Sequence, residues 1–492
     1  MTVPTSHTRQ ALTSFIVTAM LTVFCLSAAA QEKKILLPEL GDSAGSLTSD
    51  EETRNLGQEW LRQFRAKAPE SNDAVMYDYT QKLVYKMAEG SDLEDKRITL
   101  IVVKNSTLNA FAVPGGIMGI HDGMFLHTDD EQQLAGVIAH ELGHLSQKHW
   151  QRSVEQQQQN RLPTMAGMLA GLILLATSNS SDAGMAAIMS TQAANMQSML
   201  RFSRENEAEA DRIGMQTMVN VNMNPRAIPA MFENMQRAAQ YAGERPPEFL
   251  LTHPVTEKRI ADSRNRAEQY PTKKYDTDPE FALIKARALL AAAENPSVAI
   301  KRFQNEMNGD RFPSNACQYG IALAQIKLRQ FDAAEKTLKP LYTKTPNNLL
   351  YALAQADILN GLGQYDDALT LAERLLTTHP RNYPVTMVAS NILENMKNHK
   401  RAARELEKLL PDYEDLPNVW HELAELRGLA GDTGGIHTAR AEYFILNGDF
   451  DKARQQLTYA LNFYRDNRSQ SGRVQKRLQD ITEMESKKLL DG

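Results

Sequence analysis

Cysteine is nearly absent: the 492 residues hold two, Cys25 and Cys317. Cys25 lies in an apolar N-terminal stretch that reads as a leader, so one thiol remains after processing and no internal disulfide can form. The helical pattern around Cys317 predicts a buried structural thiol. Surplus positive charge is lacking too. The net charge is −5, which argues against a protein that binds nucleic acid by neutralising phosphates. Long apolar runs are missing beyond the leader. Met165–Ala176 is apolar over 12 residues, short of the roughly 20 that span a bilayer as a helix.

What is present begins with the leader. Arg9 supplies a positive n-region, Leu12 to Leu26 is mostly apolar, and Ala28-Ala29-Ala30 offers a small-residue cleavage site before Gln31. Phe24, before Cys25, is bulky where lipid attachment wants a small residue. Residues 1–30 therefore read as a cleaved signal peptide of a soluble exported protein. Residues 31–50, with Pro38, Gly41 and Gly45, read as a linker. At this length more than one core is expected.

The chemistry sits in His140-Glu141-Leu142-Gly143-His144. Leu134, Val137, Ile138, Leu142 and Leu145 recur at helical spacing, so a helix is predicted from Glu131 to His149, opened by a capping box at Thr128–Glu131. Residues four apart share a helix face, so His140 and His144 can aim two imidazoles at one metal. Glu141 lies beside them, placed to take a proton from a water. Two His plus a carboxylate, with one position open, is a catalytic zinc set. The carboxylate is sought in Arg201–Gly214. Glu207 and Asp211 are four apart there, which suits Glu207 as the ligand and Asp211 as the partner of a ligand His. Glu205 and Glu209 are alternatives, but neither has an Asp four residues on.

Other segments frame this site. Asp50 to Met87 reads as helix, with one stripe at Leu56, Trp60, Leu61 and Phe64 and another at Val75, Tyr79, Leu83 and Met87. Ile98–Lys104 and Ile117–His121 read as strands, with a turn at Pro114-Gly115-Gly116. Such a sheet either holds an extended peptide on its edge or only packs the helix. Residues 163–199 are apolar and rich in Met, which predicts a helical hairpin. It either covers the active site, touches membrane peripherally, or is buried as core. Pro254 biases His253 away from helix, so Leu250–Pro254 is read as a turn.

Taken together, Asn109–Gly116, His140–His144, Glu207–Asp211 and Thr252-His253-Pro254 with Arg259-Ile260 resemble the M48 zinc metallopeptidases over residues 50 to 270. The resemblance implies that His140, His144 and Glu207 bind one zinc and that Glu141 is the general base. It also draws attention to His253. Either this imidazole donates to the developing oxyanion as a catalytic residue, or it takes the fourth zinc position and holds the enzyme closed. The second role is favoured, because a latch and a cover at 163–199 would serve the same end.

The C-terminal part repeats. Gln330–Pro346 realigns with Gln364–Pro380 at a shift of 34, so that Phe331 meets Tyr365 and Ala334 meets Ala368. Ala402 continues the series, and Asp449–Ala453 starts a unit out of phase by half a repeat. Period and residue set resemble tetratricopeptide repeats, which form concave surfaces for peptides or proteins. The expected architecture is mainly α: an α+β zincin-like metallopeptidase domain with a small sheet (51–272), then an α-solenoid (273–492). A cut near Asp276 is expected to leave a soluble zinc-binding core. The whole layout resembles periplasmic proteases of outer-membrane quality control. That resemblance implies misfolded or stalled outer-membrane proteins as clients, contact with the barrel-assembly machinery, and a Gram-negative periplasm. The alternative expectation is a chaperone or scaffold whose protease is latched shut.

Overall fold

Helix α1 (Asp50–Arg65) and helix α2 (Ala74–Gly90) form from the two apolar stripes, and Asp73 caps α2 by accepting from Val75 and Met76 N–H. The structure, a computed structural model, describes residues 50–156, 169–173, 203–241, 247–307, 309 and 312–486. The leader, nearly all of the linker and most of the 163–199 segment lie outside the described residues. Of that segment, Leu169, Leu172 and Ile173 are buried with Trp60, Phe64, Phe111 and Trp150, and the Trp60 indole donates to Leu169 O at 2.8 Å.

Three strands follow: β1 (Thr99–Val103), β2 (Ala110–Val113) and β3 (Ile117–His121). Their order is β1-β3-β2, with β3 parallel to β1 and antiparallel to β2. The predicted turn at Pro114–Gly116 joins β2 to β3. Gly115 and Gly116 there have φ of 92° and 80°, a backbone region that L side chains rarely enter. Ala110–Val113 is one of the two edge strands. All its residues are buried.

After a short α3 (Met124–His127) comes α4 (Glu131–Ser146), which carries the H-E-x-x-H motif. Its N-cap is Asp130, accepting from Gln133 N–H at 2.9 Å, two residues later than the predicted Thr128. Its end is earlier than predicted. Lys148 turns the chain at φ 50°, and His149 starts a new helix, α5 (His149–Gln156). Then come α6 (Arg204–Asn220), α7 (Ala227–Tyr241), α8 (Glu248–Thr252) and α9 (Glu257–Glu268).

From Glu280 to Ser486 the described elements are all helices. Second helices of successive pairs, α13 (Phe331–Lys344), α15 (Tyr365–Thr378) and α17 (His399–Glu407), start 34 residues apart. Ala334, Ala368 and Ala402 are fully buried where neighbouring helices close in. The bends within pairs keep the same period: Arg329, Gly363, Lys397 and Gly431 all have positive φ. Gly448 does too, 17 residues later, so the half-repeat shift read at Asp449 is a real change of phase in the solenoid. Cys317 is buried and free, and burial pushes its thiol up to about 11. Among the described residues no helix is long and apolar enough to cross a membrane.

The two parts share one buried apolar cluster, from Met76 in α2 to Ala439 in the solenoid. Phe125 packs on Phe281 at 5.9 Å and Tyr77 on Tyr383 at 5.9 Å. Arg287 binds Asp73 at 2.8 Å and Tyr319 at 2.7 Å, and Lys285 donates to Thr128 O at 2.6 Å. This seam runs against the expectation of a self-sufficient core ending near Asp276.

Candidate metal centre

Helices α4 and α6 cross closely because glycine faces backbone on both sides. A Cβ on Gly143 would come 3.0 Å from Ala210 O, and one on Gly214 would come 3.0 Å from Ala139 O. Glycine in a helix interior costs about 1 kcal/mol against alanine; here it lets two backbones touch. That contact sets Glu207 against the histidines. His140 Nε2 lies 3.1 Å from His144 Nε2 and 3.5 Å from Glu207 Oε2, and His144 Nε2 lies 3.4 Å from Glu207 Oε1.

His253 joins them from the C-cap of α8, where Pro254 has ended the helix. Its Nδ1 is 3.0 Å from Glu207 Oε1, its Nε2 is 3.6 Å from Glu141 Oε1, and its ring stacks on Phe249 at 4.7 Å. His140, His144, Glu207 and His253 each offer a donor atom within 4.8 Å of the others, and all are buried. Burial of so many polar groups is costly unless each is paired. Glu141 Oε1 is buried with no hydrogen-bond partner among the described residues. Imidazole nitrogens and a carboxylate converging in a buried cage, beside a carboxylate oxygen without a hydrogen bond, fit a metal ion and a water.

The electrostatics follow from packing. Burial raises the Glu141 carboxyl, against the pull of His253 and His140. Burial also works to raise Glu207, but His253 and Arg259 outweigh it and hold that carboxyl well below its usual range. The two histidines diverge. Burial pulls both down and wins at His144, whereas Asp211 and Glu207 outweigh it at His140 and push it up to about 9.

Asp211 Oδ1 lies 2.9 Å from His140 Nδ1, the side of the ring away from the cage. Glu205 is exposed, and Glu209 faces α5 instead of the cage. Two residues with larger parts than their sequence signal suggested are Arg259 and His149. Arg259 grips Asp211 through Nε and Nη2 at 2.8 and 2.7 Å and reaches Glu207 Oε2 with Nη1 at 2.5 Å, tying both carboxylates to α9. His149 packs behind His144, Nδ1 to Nδ1 at 2.9 Å. In the sequence Arg259 shows only as part of a motif, and His149 only as a helix terminus.

The sheet edge faces the same place. A bond from the Ala112 backbone bears on Glu141, while the Trp150 indole on α5 donates to Ala112 O at 3.0 Å. One acceptor of the edge strand is thus already used by the protein itself.

Comparison with known proteins places this chain in context. The profile of Peptidase family M48 matches residues 77–267, and a tetratricopeptide-repeat profile matches residues 359–426. The chain is 32% identical to the beta-barrel assembly-enhancing protease of Escherichia coli K12 over 472 residues, 95% of this chain and 96% of that protein. It is 31% identical to the protein of that name from Yersinia pestis over 421 residues, 85% and 86% of the two chains. A mitochondrial metalloendopeptidase OMA1 of Schizosaccharomyces pombe is 28% identical over 182 residues, 37% of this chain and 50% of that protein.

Proposed function

The chain belongs to peptidase family M48, and on that premise we propose that it is a zinc endopeptidase of outer-membrane protein quality control, exported to the periplasm and closed at rest. That it is a metalloendopeptidase follows from the family. The observation that carries the zinc reading is the buried cage of His140, His144 and Glu207, beside a Glu141 oxygen that makes no hydrogen bond among the described residues. Zinc suits this donor set; when bound there it would lower the pKa of a water and polarise the scissile carbonyl.

The protein's own groups do the rest. Glu141 takes the proton of the attacking water and returns it to the leaving amine. Burial, by raising its pKa, brings this base closer to the working pH. Asp211 sits 2.9 Å from Nδ1 at the far side of His140, and this ion-pair contact keeps that ring aimed inward. An extended substrate adds to the free edge of β2, and Trp150 leaves Ala112 O when it does. Such a site takes unfolded or stalled chains. The solenoid supplies the surface for protein partners. The relatives are named for beta-barrel assembly; extended to this chain, that name suits outer-membrane proteins as clients and the barrel-assembly machinery as partner.

His253 is assigned to the closed state. Its two nitrogens face the two carboxylates that hydrolysis needs, Glu207 and Glu141, and its ring is buried with them. His253→Ala is expected to keep zinc and cleave clients or itself faster. A fall of about 10²–10³-fold with zinc still bound would make His253 an oxyanion donor instead.

A second reading is favoured by the same closure: a scaffold that works mainly through its repeats. Digestion of casein by wild type and Glu141→Gln, with zinc measured on both, tests the protease reading. Glu141→Gln should lose hydrolysis and keep zinc. If that variant still supports barrel assembly in cells, scaffolding is the main task.

A further inference from the structure

We infer that His149 is a positioning residue that fixes the tautomer and aim of His144, and that Glu209 in turn orients His149. The inference rests on the reading of His144 as a metal ligand. The sequence alone hides it. On an unbroken helix, a residue five beyond His144 would point well away from it. The left-handed turn at Lys148 instead swings His149 behind the ligand. Its ring meets that of His144 edge-on, centroids 4.8 Å apart at 75°, and is fully buried.

The proton count then follows from the partners. His149 Nε2 lies 3.2 Å from Glu209 Oε2, and Arg152 Nη1 holds the same oxygen at 2.8 Å. An ionised carboxylate only accepts, so His149 carries its proton on Nε2. The two Nδ1 atoms, 2.9 Å apart, can share only one proton, so with His149 as the neutral imidazole its Nδ1 accepts and His144 Nδ1 donates. That leaves the lone pair of His144 on Nε2, the atom that faces Glu207 and His140 in the cage. The other tautomer would point an N–H at the metal. His149 cannot itself be a ligand here, because both of its nitrogens are engaged. Helix α6 thus backs each ligand histidine with a carboxylate: Asp211 directly behind His140, and Glu209 through His149 behind His144.

The test uses full-length variants, with zinc affinity measured by competition against a chelator and melting of the zinc-free forms as a fold check. His149→Ala is expected to weaken zinc about 10–100-fold. His149→Asn, whose amide oxygen can accept in place of Nδ1, should restore affinity to within a few-fold. His149→Lys, which can only donate, should do no better than Ala. Wild-type affinity in folded His149→Ala, or Asn no better than Lys, overturns the inference. His144→Ala separates it from the ligand reading. If His144→Ala keeps zinc, the ligand reading has failed; if it loses zinc while His149→Ala keeps it, only this inference has. Should the Ala and Lys variants not fold, nitrogen-15 histidine spectra of the zinc-bound wild type decide. His144 protonated on Nδ1 and His149 on Nε2 is expected, and the reverse pair overturns it.

Discussion

The two halves of this chain share an apolar core, but one of them also buries a cluster of charged and polar side chains. Around helix α4 the interior holds His140, Glu141, His144, Glu207, Asp211, His253 and Arg259, all at 8% exposure or less. In the solenoid the recurring buried positions are Ala334, Ala368 and Ala402, with leucines such as Leu338 and Leu375, while the charged residues mostly face out. A repeat of small apolar contacts is stable by adding neighbours and needs no ligand. A cage of buried charge is stable only while every group has a partner. Chemistry lies where burial is expensive.

The comparison breaks first at the seam. Residues 50–272 made alone would bare Tyr77, Tyr79 and Phe125, which now pack against solenoid helices. This fragment is expected to lose cooperative unfolding and bind apolar dyes; a soluble fragment with a sharp melting transition would show that the halves are separable after all. Next in size is Arg259→Leu, which leaves Glu207 and Asp211 without their shared cation. A loss of about 3–5 kcal/mol is expected in denaturant melts of the zinc-free protein, partly recovered by saturating zinc. The solenoid counterpart is Arg401→Ala, which breaks an exposed pair with Glu373 and should cost at most about 1 kcal/mol.

A pH prediction sharpens the contrast. Burial raises the Glu248 carboxyl from 4.5 to about 7, against hydrogen bonds from Thr107 and Asn109. Its folded pKa is above its unfolded one, so its contribution to stability is whole below 4.5 and is lost as pH rises through about 7. Glu248→Gln should flatten that loss, a difference approaching about 3 kcal/mol at pH 8. Melts of both proteins at pH 5 and pH 8 in saturating zinc check the sign. Ala368→Leu overpacks one inter-helix contact of the solenoid. It should cost about 1–3 kcal/mol and leave kcat/KM on a short peptide unchanged.

How much of this was legible in the sequence depended on distance along the chain. His140 with His144, and Glu207 with Asp211, are each four apart on one helix, so periodicity alone put each pair on one face. The 34-residue solenoid period is equally local. His149 was not legible, because a single residue, Lys148 at φ 50°, redirects the chain. Glu209 was a candidate ligand on composition. Two residues on from Glu207 it is about 200° round the helix, and it serves α5 instead. The edge strand Ala110–Val113 and the seam depend on pairing between remote segments, and no local pattern announces either.

On the proposed reading, His140, His144 and Glu207 hold one zinc in this buried cage and His253 is dispensable for binding it. The direct measurement is zinc per chain, by elemental analysis, in wild type, His140→Ala, His144→Ala, Glu207→Ala and His253→Ala. About one zinc is expected in wild type and in His253→Ala, with loss in the other three. Full zinc in His144→Ala, or none in a folded wild type given zinc, would contradict it.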